Sequence, residues 1–197
     1  MTQKFEITSG VMVCSDPCYT TDIWCMSIVN NVRKGTWLAH SNIETVGAWG
    51  ERNVDLTIHH ADHKIDESAW KEISGTFGVD SGQFGFFDRD HYRIAASVKD
   101  MPKYDFGGDF LTDDSDRDAD VWYHACCKIT LDNPESWGVL PNGAVSSSGF
   151  GDGSYVVYGI KDTYSPDHEY VAFRVVFIEA EELDESDDLD EWEEDEN

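Results

Sequence analysis

Glycines recur through two stretches of this chain at a density that disfavours helix. Residues 75–88, "GTFGVDSGQFGFFD", carry Gly75, Gly78, Gly82 and Gly85, and residues 146–160, "SSSGFGDGSYVVYGI", place Gly149, Gly151 and Gly153 around Asp152. Each glycine costs a helix about 1 kcal/mol, and the residues between them are mostly aromatic or β-branched, which suits strands. Glycine supplies positive φ at corners, and aspartate bonds nearby backbone amides there. A chain punctuated in this way is expected to be a set of short strands bent by tight turns.

The neighbouring segments extend this reading. In "RNVDLTIHHAD", Val54, Leu56 and Ile58 alternate with Asp55, Thr57 and His59, the period of a strand with one buried face. It pairs with "TWLAHSNIETV" across "GAWGE" as a hairpin, and "SYVVYGIKD" pairs with "YVAFRVVFIEA" across "TYSPDHE". The opening "KFEITSGVMVCSDPCY" reads as one or two strands ending at the Asp16-Pro17 turn, and "VWYHACCKITL" and "GAVSSSG" read as further strands. Helix is expected in "TTDIWCMSIVNNVRKG", where Ile23, Met26 and Val29 repeat at helical spacing before Gly35. A short helix capped by Asp66 is expected in "DESAWKEIS", and another over residues 89–97. The fold class is then α+β, mostly antiparallel sheet in a sandwich or open barrel-like form, with one or two short helices. Residues 1–178 form one β-rich domain, followed by an acidic tail, 179–197, that is disordered or partly helical.

Charge narrows the function. The chain has 40 acidic and 14 basic residues in 197, a formal net of -26. Thirteen acids and no base fall in the tail, which leaves 27 acidic against 14 basic residues in the body. Such a surface repels phosphate backbones and anionic membranes, so neither nucleic acid nor membrane is an expected direct partner; a basic protein surface is. The first ten residues lack the apolar run of a signal peptide, and no segment is apolar enough to span a bilayer. Five cysteines, an odd number, fit free structural thiols in a reducing cytoplasm.

Chemical constellations are weak. The order G-x-G-x-G around Asp152 departs from the dinucleotide fingerprint, and a strand follows it rather than a helix N-terminus. Asp114, Asp116, Asp118 and Asp120 alternate as in a calcium loop, but Ala125 stands where the bidentate glutamate belongs. His59, His60 and His63 share a face only on a helix, and their surroundings read as strand. Asp88, Asp90 and His91 offer adjacent oxygen and nitrogen ligands just after a strand, where acids are usually solvated. No G-x-S-x-G occurs, so no catalytic residue, metal or cofactor is assigned.

The pairing of "VDSGQFGFFD" with "SSGFGDGSYVVYGIKD" and a closing "VAFRVVFI" resembles the signature of a family of bacterial and phage proteins without an assigned activity. Asp80, Ser81, Gly82 and Asp88 match its first element; Ser148, Gly149, Gly151, Asp152, Gly153 and Tyr155 match its second, with Val156 where the pattern has proline. "SDPCY", with Asp16 and Tyr19, is an outlying element. The resemblance implies a β-rich fold and a prokaryotic or phage origin. If the two turns meet in space, Asp80, Asp152 and Ser154 converge with the 14–19 turn. The candidate ligand-binding residues are therefore Asp16, Tyr19, Asp80, Ser81, Gly82, Asp88, Asp152, Gly153, Ser154 and Tyr155.

Two functional readings follow. The first is a non-enzymatic accessory protein whose acidity recruits a basic partner, in one version by mimicking nucleic acid toward a host protein. The second is a small-molecule or divalent-metal pocket, hydrolytic in its strongest form, at the Asp80 and Asp152 turns.

Overall fold

The computed structural model describes residues 2–98, 101, 117–180 and 183, and within them the antiparallel reading holds. One sheet runs β1 (Gln3–Ile7), β4 (Gly35–Thr45), β5 (Glu51–His60), β12 (Tyr170–Val176), β11 (Gly153–Lys161) and β6 (Lys71–Glu72), with β7 (Phe77–Val79) paired to the opposite end of β11. The other runs β3 (Ser27–Asn30), β2 (Val11–Ser15), β8 (Gln83–Asp88), β10 (Gly143–Ser147) and β9 (Trp137–Leu140). Both predicted hairpins form, β4 with β5 and β11 with β12. The sheets do not close into a barrel; they stack.

Alternation sorts the side chains between layers. Met12, Cys14, Phe84, Phe86 and Ala144 of the smaller sheet face Trp37, Leu56, Ile58, Phe173 and Val175 of the larger one. Phe173 bridges the two, its ring 5.8 Å from Phe86 and 5.9 Å from Trp37. The other face of the smaller sheet, carrying Val13, Phe87 and Val145, packs beneath α1 (Arg117–Leu131). The outer face of the larger sheet is covered at Ile160, Val171 and Ala172 by Ile65, Ala69 and Trp70.

Four local expectations are corrected. "TTDIWCMSIVNNVRKG" is not a helix: Met26 N–H closes a turn on the Ile23 carbonyl, β3 follows, and Gly35 opens β4. Burial there alternates, with Val29 inside and Ile28 exposed, so the helical spacing is coincidental. "VWYHACCKITL" is not a strand but the body of α1, because Trp122, Ala125, Cys126 and Ile129 make a 3.6-period stripe onto the sheet. Cys126 and Cys127 are therefore helix neighbours. The expected helix at Asp66 is a single 3-10 turn, Glu67–Ala69, whose first donor, Ser68 N–H, bonds the Asp66 side chain as anticipated. The helix over 89–97 shrinks to a 3-10 turn, Ala95–Val98. Asp114 and Asp116 lie outside the described residues, and no described helix is long and apolar enough to cross a membrane.

Candidate functional site

Asp16 is fully buried at the end of β2. Its Oδ1 accepts from Cys18 N–H at 2.8 Å and Ser81 Oγ–H at 2.6 Å; its Oδ2 accepts from Asp80 N–H at 2.9 Å and Ser81 N–H at 2.7 Å. A carboxylate has about four lone-pair sites, and here the chain's own donors fill them. The turn around it is held from the other side as well, by Tyr92 Oη donating to the Tyr19 carbonyl at 2.7 Å and Arg93 donating to the Pro17 carbonyl at 2.9 Å. Asp88, equally buried, ties the β1–β2 turn: it accepts from Thr8 N–H, from Ser9 N–H at 2.9 Å and from Asp90 N–H at 2.9 Å. Both aspartates join segments distant in sequence.

The two glycine turns do meet. Gly153 pairs with Val79 and Ser154 with Gly78, and Ser148 N–H bonds the Gly82 carbonyl at 3.0 Å, which sets Asp152 near the Asp80–Ser81 corner that caps Asp16. Asp80, Asp152, Gly153 and Ser154 are exposed, and Gly82 takes φ +68°. Tyr19 is half-buried with Cys25 and Asp80 beside it; burial first, then those neighbours, pushes its phenol above the usual range. Burial, with Asp16 adjacent, pushes the Cys18 thiol up to about 12, so it is a protonated thiol at neutral pH rather than a nucleophile. All five cysteines are free.

The glycine loop that follows β10 turns its polar groups inward. Gly151 N–H bonds the Ser148 carbonyl at 2.9 Å, Ser148 Oγ–H bonds the Gly151 carbonyl at 2.9 Å, and Tyr155 Oη lies 2.6 Å from that same oxygen. Gly149 sits at φ +60°, where a Cβ would come within 2.8 Å of Ile178. What the loop presents outward is the Phe150 ring, in edge contact with Trp49 at 5.6 Å. These two, with Ile43, Leu131 and Pro134, line a groove of about 350 Å³ bordered by Glu51 and Glu135. Buried Asn53 fixes its floor, donating to Ser147 Oγ at 2.8 Å and to the Glu135 carbonyl at 3.1 Å. A second cavity, of about 770 Å³, lies at the far end of β11 among Lys71, Glu72, Lys161, His168 and Tyr170. None of the ten sequence-derived candidates lines either cavity.

The histidines stand as the strand reading requires, and among the described residues no three His, Cys, Asp or Glu side chains are grouped to hold a metal. Burial holds His40 and His63 below the ordinary histidine range, and His63 Nε2 is buried with no hydrogen-bond partner. A histidine with a lowered folded pKa binds its proton first in the unfolded chain, so its effect on stability is lost as pH falls below about 6.5. Acidification also relieves the surplus negative charge, so the diagnostic quantity is a difference between proteins. From pH 7.5 to 5.5, wild type is expected to lose thermal stability relative to the His40→Gln, His63→Gln double variant. Parallel melting curves across that range would remove the assignment.

No family model matches the chain, and neither curated proteins nor solved structures provide a match. The described residues thus form a two-sheet antiparallel sandwich with α1 over the smaller sheet, saturated acidic corners, and a groove lined by apolar and polar side chains with acids at its border. Sequence reasoning missed Trp49, Leu131 and Phe150. The available signal was a large aromatic ring isolated between glycines, in "GAWGE" and "GFG", where no strand period explains it.

Proposed function

We propose that the protein is a non-enzymatic binding module of bacterial or phage origin, whose acidic surface recruits a basic partner protein. Its sharper version is mimicry of a nucleic-acid backbone toward a DNA-binding protein. The observation that carries the reading is how the charges are deployed. The guanidinium of Arg33 is committed to Asp162 and Glu169, that of Arg174 to Glu67, and that of Arg93 to backbone carbonyls. Carboxylates at Glu44, Glu51, Asp80, Glu135, Asp152 and Asp167 are exposed. With a body of 27 acids and 14 bases, the outward field is negative before the tail adds to it. The two-motif resemblance supports the origin.

The pocket reading has less support. Its turns adjoin, but the Asp16 oxygens at their junction are already occupied by four donors. Immobilised full-length protein is expected to capture basic, DNA-binding proteins from a bacterial lysate, released by salt and competed by duplex DNA. Recovery of no basic partner at low ionic strength, with the tail present or deleted, would overturn the proposal.

A further inference from the structure

Among the described residues eight large apolar side chains are exposed, and three of them, Trp49 at 60%, Leu131 at 76% and Phe150 at 45%, border the one groove beside the glycine loop. They arrive from three places: the 3-10 turn Gly47–Trp49 between β4 and β5, the end of α1, and the loop before β11. Scattered exposed apolar residues are ordinary, but a cluster rimmed by charge marks an interaction surface. Its geometry is also fixed in advance. Tyr155 and Ser148 hold the Gly151 carbonyl, Gly149 is pressed onto Phe177 and Ile178, and Asn53 joins β5, β10 and the segment after α1. A pair of aromatic rings in mutual contact at a groove, one of them on a loop held by its own hydrogen bonds, has the form of an interface hot spot, since less order remains to be imposed on binding.

The charges around it select the occupant. Glu51 and Glu135 line the groove; the one cation among its described lining residues, Arg52, stands directly across the strand pair from Glu44. An acidic segment would be repelled, and a neutral one would leave the rim unused. We propose that this groove docks a basic segment of the partner protein, with an aromatic or branched aliphatic side chain entering against Trp49 and Phe150 and Lys or Arg side chains meeting Glu51 and Glu135. The inference rests on the acidic-module reading above and gives it a place on the molecule.

A fluorescein-labelled octapeptide with a central Leu-Phe pair flanked by lysines and arginines serves as probe, and its counterpart with Ser-Ser at the centre as control. Titrated with the full chain, the Leu-Phe peptide is expected to bind at least ~30-fold tighter than the Ser-Ser peptide, an advantage of the size of one buried hot spot. Trp49→Ser and Phe150→Ser, each at an exposed site, should each remove most of that advantage, read within each variant as the ratio of Leu-Phe to Ser-Ser affinity, with a cooperative melting transition as the check on folding. An advantage that is absent, or that survives the double variant, overturns the groove assignment. So does a several-fold gain of Leu-Phe binding in Trp192→Ala, which would make the chain's own tail the occupant, or a Phe150-dependent dimer by light scattering, which would make it a second copy. Ser-Ser binding without a Leu-Phe advantage leaves the acidic-module reading standing; failure of both peptides at low salt removes that reading too.

Discussion

Asp16→Asn is expected to destabilise the fold by about 4 kcal/mol, because a buried acceptor of four hydrogen bonds becomes half donor. Oδ1 faces Cys18 N–H and Ser81 O–H, and Oδ2 faces the amides of Asp80 and Ser81. Whichever way the asparagine amide turns, its NH₂ meets two donors where the carboxylate oxygen had accepted from them, and each such buried mismatch costs about 1–3 kcal/mol. In urea the midpoint should fall by about 2 M at an m-value near 2 kcal/mol/M. Ser81→Ala alone removes a donor and leaves the acceptor with three others, so it should cost only about 1 kcal/mol, and less than that in the Asp16→Asn background. The experiment also decides between structure and function at this corner. Carboxylates poised for a ligand are commonly held at a cost, so their replacement stabilises. A neutral or stabilising Asp16→Asn would show that the corner is a binding site and not a tie.

The Asp16 tie shows what part of this molecule was legible in the sequence. "SDPCY" and "VDSG" each announce a turn through local chemistry, and their meeting could be anticipated from two corners at one end of a sheet. That one carboxylate serves the other turn's amides, 64 and 65 residues away, is a property of strand order and not of either segment. Periodicity succeeded at Val54, Leu56 and Ile58 of β5, which enter the inter-sheet core, although Asn53 and Thr57 on the other face are buried too and that face is not wet as the alternation implied. It failed where residues acquire burial from different partners. Val29 is buried as part of β3 in the inter-sheet core, while Met26 packs in the cluster beneath α1. In α1 it was propensity that misled: Trp122, Tyr123, Cys126, Cys127, Ile129 and Thr130 favour strand intrinsically, and the helical-period stripe that packs on the sheet beneath overrides the preference. An aromatic ring isolated between glycines marks Trp49 and Phe150 singly, but not the groove they form together. Trp49 sits in the turn of the β4–β5 pair and Phe150 in the loop that crosses from β10 of one sheet to β11 of the other, and their rings meet only through the folded arrangement.

Gly85→Ala should cost about 3 kcal/mol and lower the melting temperature by about 6–12 °C for a chain of this size, although it adds a single methyl group. Gly85 lies in the middle of β8, where a residue with high strand propensity would normally be preferred. A Cβ there would stand 2.2 Å from Cζ of Phe87 and 2.5 Å from the Ala144 carbonyl oxygen. The Phe87 ring lies back along its own strand over Gly85, and it covers Gly143 of β10 as well, where a Cβ would come within 2.6 Å. The two glycines leave a shallow recess in the sheet, and the ring fills it so that Trp122 can close from above at 4.9 Å and Tyr92 at 5.5 Å. A methyl in the recess lifts the ring, and the ring lifts α1. Near-ultraviolet dichroism from Trp122 should therefore weaken in Gly85→Ala well before the far-ultraviolet strand signal changes. Phe87→Ala vacates the recess at a cost of about 3–5 kcal/mol. In that background the added methyl should cost distinctly less, with only the Ala144 carbonyl left to displace. Strict additivity of the two substitutions, or a Gly85→Ala melting temperature within 2 °C of wild type, would mean that the glycine serves the backbone alone and that the helix is seated by other contacts.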